Sequence, residues 1–167
     1  MDFREVKEKY LEENGFKKDS WELRNLHRAN EKFGRWFLGN IPFEEIGNIA
    51  LPHYKFGAEV IPPQGAFLKD AYANFEKEKE FYKKFNRQFY DRIESQVKFL
   101  KESNSVKVFY LSEEPLFMGS SYKDMEPFKN KITHLDGLHR LFALKEIGSW
   151  EGPLQTFLAK SKNTPIN

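Results

Sequence analysis

The sequence predicts an α+β fold in a single domain over 1–167. Two patterns carry this. From Ala66 to Glu102 there is neither Gly nor Pro, and apolar residues recur in steps of three and four, the period of a helix. Outside that stretch, short runs rich in β-branched and aromatic residues recur at 35–46, 106–111, 132–135 and 154–159. A chain of 167 residues suits one domain, and 40% hydrophobic content supports a packed core.

Two helices open the chain, over 1–34. Phe3, Val6, Tyr10 and Leu11 keep helical spacing over 2–14, and Gly15 is a suitable stop. Ser20 is a good N-cap for a helix over about 20–32, with Trp21, Leu23 and Leu26 on its apolar side and Gly34 ending it. Residues 35–46 read as one interrupted strand or a strand and a turn, broken at Gly39-Asn40. Gly47, Pro52, Gly57, Pro62, Pro63 and Gly65 make 47–65 mostly loop, with room for a short strand at 58–61.

The stretch 66–102 reads as a helical insertion. One straight helix there would reach roughly 55 Å, whereas a domain of this size has a radius of gyration of about 15 Å. Two helices or a bend are expected, near Asn74 or Asn86. Its charges read as a solvated face, and its Phe/Tyr stripe as core. Val106–Leu111 reads as a strand, 112–130 as a long loop, and Ile132–Leu135 as a strand. Asp136-Gly137 turns the chain into a helix over 138–147, stopped by Gly148. Leu154–Ala159 is the closing strand, and 160–167 a polar tail.

Composition excludes several functions. There is no Cys, so disulfides, thiolate zinc sites and cysteine nucleophiles are out, and a reducing cytoplasm is the simplest expectation. Lys and Arg number 27 against 25 Asp and Glu, a balance that does not favour DNA as partner. No apolar run approaches the roughly 20 residues that span a bilayer. No Walker loop or G-x-G-x-x-G is present.

The informative segment is the strand-turn-helix at Asp136. Its carboxylate can cap the helix. Gly137 allows a tight turn and a naked amide, and the first helical N–H groups lack partners. With His139 and Arg140 in that first turn, the helix start reads as an anion site suited to phosphate. Gly119-Ser120-Ser121-Tyr122-Lys123 is a loop whose hydroxyls and Lys123 could close over phosphates. Pro52-His53-Tyr54-Lys55 and Pro62-Pro63-Gln64-Gly65 could shape an acceptor pocket. His134, Asp136 and His139 are metal-ligating types, but strand and helix divide them, and no protein-held metal is expected.

Thr133-His134-Leu135-Asp136-Gly137-Leu138-His139-Arg140-Leu141-Phe142-Ala143 resembles the DG-x-HR-L-x-A segment of the ParB/sulfiredoxin superfamily. The resemblance implies a small mixed sheet whose strand delivers the motif onto a helix that binds nucleotide phosphates. Leu138 stands where sulfiredoxin needs its Cys, so that activity is excluded. The motif most resembles free-serine kinases and related small-molecule phosphotransferases. That implies ATP or ADP with Mg²⁺ as cofactors and a small hydroxylated acceptor as substrate. It implies phosphate contacts from Gly137, Leu138, His139 and Arg140, and a turn-orienting or Mg²⁺-binding role for Asp136. An acidic base near the first strand falls on Glu44 or Glu45, one of which would face the cleft if both lie on a strand. The alternatives are a ParB-like DNA-binding or nuclease module and a noncatalytic nucleotide-binding protein.

Overall fold

The computed structural model describes residues 1–15, 19–57 and 59–161. They form a mixed α+β fold of three layers, with a six-stranded sheet between two sets of helices. Helix α1 (Phe3–Asn14) starts in a reciprocal cap, Asp2 accepting from the Arg4 amide and Glu5 from the Asp2 amide. Helix α2 (Trp21–Phe33) is capped by the Ser20 hydroxyl, which accepts from the Leu23 amide, and ends at Gly34. The long apolar stretch divides into α3 (Leu68–Phe85) and α4 (Arg87–Ser103). The break falls at Asn86, whose φ of −131° and ψ of 58° leave the helical region. Of the two expected break points, Asn74 stays helical. Helix α5 (Leu138–Ile147) follows Gly137.

The strands are β1 (Arg35–Ile41), β2 (Ala50–Leu51), β3 (Ala66–Phe67), β4 (Phe109–Ser112), β5 (Thr133–Asp136) and β6 (Leu154–Lys160), in sheet order β1-β6-β4-β5-β2-β3. β1 and β6 run antiparallel from Arg35↔Lys160 to Ile41↔Leu154. β6 is parallel to β4, β4 antiparallel to β5, β5 parallel to β2, and β2 antiparallel to β3.

Four expectations change. The strand over 35–46 ends at Ile41. Pro42 lacks the amide a ladder needs, and Phe43–Asn48 coils into 3₁₀ turns. The strand expected over 106–111 begins at Phe109 and reaches Ser112. The loop expected over 47–65 contains β2, and Ala66–Phe67 is strand rather than helix, because these residues complete the sheet against Ala50 and Leu51. Of the strand expected at 58–61, Ala58 lies outside the described residues, and 59–61 turn instead of extending. The tail beyond Ser161 also lies outside them.

Alternation on β4 explains the layering. Phe109 and Leu111 face α3, α4 and α5, in a core with Phe75, Tyr82, Phe89 and Phe142. Tyr110 faces α1 and α2, in a core with Val6, Tyr10, Leu26 and Trp36. The first core is a lattice of rings. Phe89 meets Phe75, Tyr82 and Phe142 at centroid distances of 5.7, 5.2 and 5.5 Å. That lattice holds α4 against α5 and so fixes what lies at the start of α5. Among the described residues, no helix is long and apolar enough to cross a membrane.

Candidate functional site

A pocket of about 400 Å³ opens at the carboxyl ends of the parallel strands β2 and β5 and at the start of α5. That end of parallel strands is where open α/β sheets commonly seat ligands. β5 supplies the floor. Its alternation turns Thr133 and Leu135 from the face that carries His134 and Asp136, and both of the latter line the pocket. Leu138 and His139 line it from the first turn of α5. The remaining walls come from Trp21 and Glu22 of α2, Arg92 of α4, Pro52 to Lys55 after β2, and Ser120 and Ser121.

The walls are tied together. The His53 amide donates to the Ser121 carbonyl at 3.1 Å, joining the two loops. The Tyr122 hydroxyl donates to the His134 carbonyl at 2.9 Å, and the Tyr122 ring stacks on Trp21 at 6.0 Å. The Tyr54 hydroxyl lies 3.4 Å from His139 Nε2. The His139 ring also packs edge-on against Tyr54 and Phe89.

The start of α5 is built to stay open. Gly137 adopts φ +107°, and no side chain caps the helix. A Cβ there would stand 2.7 Å from Phe109 Cδ1, so both the conformation and the space call for glycine. The Leu141 amide is the first to bond within the helix, to the Gly137 carbonyl. The amides before it carry the positive end of the helix dipole.

The electrostatics are unusual at the two histidines. Burial pushes the His134 imidazole down to about 3, and the Arg140 charge acts in the same direction. Burial, then Arg92 and His134, lower His139 to about 4, outweighing the pull of Asp136. Both are neutral at pH 7. His134 is 3% exposed, and neither ring nitrogen has a hydrogen-bond partner among the described residues.

Among the residues singled out in the sequence, Asp136, Leu138, His139, Ser120 and Ser121 meet at this pocket, with Gly137 making the turn beside it. Pro52 to Lys55 join them, whereas Pro62 to Gly65 do not. Lys123 does not line the pocket; it is exposed and pairs with Asp124. Arg140 is the main correction. It is 7% exposed and turned into the protein. Its Nη2 donates to Asp136 Oδ2 at 3.0 Å and to the Val108 carbonyl at 3.1 Å, and its guanidinium lies over the Phe109 ring. It braces the turn and does not line the pocket.

Glu44 and Glu45 are the second correction. They sit on 3₁₀ turns rather than a strand, both exposed. Glu45 lines a separate depression with Ile132, at the amino end of β5, and bonds Asn48. Neither lines the α5 pocket. The carboxylates that do are Asp136 and Glu22. Sequence reasoning passed over Trp21, Glu22 and Arg92. The first two read as the start of an amphipathic helix and the third as part of a solvated face. No local motif marks them, because they reach the pocket only through tertiary packing. Among the described residues, no group of three or more His, Cys, Asp or Glu side chains is placed to hold a metal ion.

No curated protein and no solved structure matches the chain. A family profile does, over residues 3–163, nearly the whole length. The chain therefore belongs to DUF6309, a family of unknown function.

Proposed function

We propose that this protein binds a nucleotide through its phosphates at the start of α5 and transfers a phosphoryl group to a small hydroxylated acceptor. The observation that carries the reading is the uncapped, glycine-opened N-terminus of α5 at a pocket that also holds two serine hydroxyls and two cations. The α5 amides, Ser120, Ser121, Lys55 and Arg92 hold the phosphates. His139 stands beside them as a neutral hydrogen-bonding group. Trp21 and Tyr54 offer flat apolar surfaces for a base or an acceptor. Mg²⁺ arriving with the nucleotide needs only one or two carboxylates, and Glu22 and Asp136 supply that chemistry.

The resemblance of the strand–DG-x-HR–helix segment to the ParB/sulfiredoxin superfamily supports the same reading, as does a small mixed sheet carrying the motif at a strand end. Catalysis of this kind is chiefly positioning and charge neutralisation. DNA is not the favoured partner: the chain is near neutral, and the pocket is lined by as many carboxylates, Glu22 and Asp136, as cations, Lys55 and Arg92.

The test is a thermal-shift screen of ATP, ADP, CTP and pyrophosphate, with and without Mg²⁺. A ligand that binds only the folded form raises the apparent melting temperature. Arg92→Ala is the informative variant, because Arg92 is exposed and its removal leaves the core intact. It should weaken binding by roughly tenfold or more, the cost of a charge-assisted phosphate contact. No shift with any of the four ligands, or an unchanged affinity in Arg92→Ala and Lys55→Ala alike, would remove the reading.

A further inference from the structure

The corner where α3 meets α4 differs from the rest of those two helices. Acids and bases are mixed along most of their length, from Lys69 to Glu80 and from Asp91 to Glu102. The ten residues from Phe81 to Tyr90 hold Lys83, Lys84 and Arg87 and no acid. That segment carries +3, more than the +2 of the whole chain, so the remainder is slightly negative. Lys83 and Lys84 are exposed, and neither is ion-paired among the described residues. Arg87 is held loosely, by Asp91 at 3.8 Å, with both side chains more than half exposed. The Glu59 carboxylate beside the corner is engaged by the Tyr82 hydroxyl at 2.7 Å.

Two rings stand among these cations. Phe81 is 43% exposed and Phe85 69%. They are one helical turn apart, and their centroids lie 5.5 Å from each other, which makes one apolar spot. The Lys84 ammonium lies 5.2 Å from the Phe85 centroid. Tyr82 and Phe89 turn inward to the ring lattice and hold the corner in place, whereas Phe81 and Phe85 turn outward. Apolar rings left in water gain free energy when a surface covers them.

We propose that this corner docks on the surface of an anionic lipid bilayer. Phe81 and Phe85 enter the headgroup region, and Lys83, Lys84 and Arg87 meet the negative headgroups. The charge distribution selects this occupant, because only the corner would be drawn to a negative surface and the rest of the chain would not. A second copy of the chain would set +3 against +3. A single-stranded nucleic acid needs free ring faces for its bases, and here the rings lean on each other with Lys84 over Phe85. Arg92, five residues past Arg87 on α4, lines the pocket at α5, so docking brings that wall of the pocket near the lipid. Docking of this kind is independent of the chemistry inside the pocket.

The experiment is co-sedimentation of the full chain with two kinds of vesicle, phosphatidylcholine alone and phosphatidylcholine with about 30% phosphatidylserine. The protein should bind the mixed vesicles and not the neutral ones, and should be released as salt rises. Lys83→Gln/Lys84→Gln should weaken binding about 30-fold, roughly fivefold for each cation. Phe81→Ser/Phe85→Ser should weaken it about tenfold or more. Thermal unfolding checks that both variants are folded. Phe85→Trp keeps a ring at the corner, and its emission should shift to the blue with the mixed vesicles only. Leu38→Ser, which removes an exposed side chain on β1, should bind as wild type does. No binding to either vesicle, equal binding to both, wild-type binding in either double variant or an unshifted Phe85→Trp emission would overturn the proposal. So would a dimer in solution that Phe81→Ser/Phe85→Ser abolishes, or binding to single-stranded RNA tighter than to the mixed vesicles.

Discussion

Arg140→Ala separates a bracing role from a ligand-binding role. The guanidinium is 9% exposed as a side chain and its partner Asp136 17%, so the pair is shielded from water. Removing Arg140 leaves Asp136 and the Val108 carbonyl without their donor and uncovers the Phe109 ring. Breaking a buried pair from one side costs about 3–5 kcal/mol. That is a large part of the 5–15 kcal/mol that holds a typical domain. For a domain of this length it corresponds to a fall in Tm of roughly 6–20 °C. The assay is urea and thermal unfolding of wild type, Arg140→Ala, Asp136→Leu and the combination Arg140→Met with Asp136→Leu. The double variant should recover much of the loss, because it leaves no orphaned charge. A midpoint for Arg140→Ala within about 0.5 kcal/mol of wild type, the range of ordinary surface changes, would refute the bracing role.

Three further outcomes are expected. Acid should weaken the fold through His134 and His139. The unfolded chain takes protons near pH 6.5, whereas the folded rings wait until about 3 and about 4. The stability they contribute is therefore complete above pH 6.5 and falls toward pH 4, by up to about 1.4 kcal/mol per pH unit for each ring. Urea midpoints at pH 7 and pH 5 should differ less in His134→Gln/His139→Gln than in wild type, and equal differences would contradict this. Gly137→Ala forces a Cβ against Phe109 at positive φ, and should cost about 1–3 kcal/mol by the same unfolding assay. Glu44→Gln and Glu45→Gln should each leave both stability and the nucleotide-induced shift unchanged, since neither residue lines the pocket.

Much of the fold was legible because its determinants are local. Ser20 announces a helix start, and the apolar steps from Leu68 to Leu100 call for two helices or a bend by length alone, with Asn74 and Asn86 both open as the break. The two-residue strands were not legible. Ala50–Leu51 and Ala66–Phe67 have no pattern of their own; the first extends against β5 and the second against the first. At the site, Asp136 to His139 could be read because turn, glycine and helix start are adjacent in the chain. Arg140 was misread although a signal existed. Asp136 and Arg140 are four apart, on either side of a tight glycine turn that brings strand end and helix start together. Glu44 and Glu45 were assigned by a strand that Pro42 stops short.

The placement of β6 bears on how the chain reaches its native state. β6 is the only strand joined to both β1 and β4 among the described residues, so it bridges one edge of the sheet to the rest. Its bonds to β1 close very long loops: the Thr156 hydroxyl donates to the Gly39 carbonyl, 117 positions earlier. On a translating ribosome the sheet must wait. Helices α1 and α2 and the ring-lined pair α3 and α4 can form from local contacts as they emerge, but β1 has no neighbour until β6 is made. Contacts of such separation slow folding and prolong exposure of an unpaired edge. A chain stalled or cleaved before residue 154 would present β1 and β4 as two open templates, and its hazard would be association with other chains rather than loss of the pocket alone.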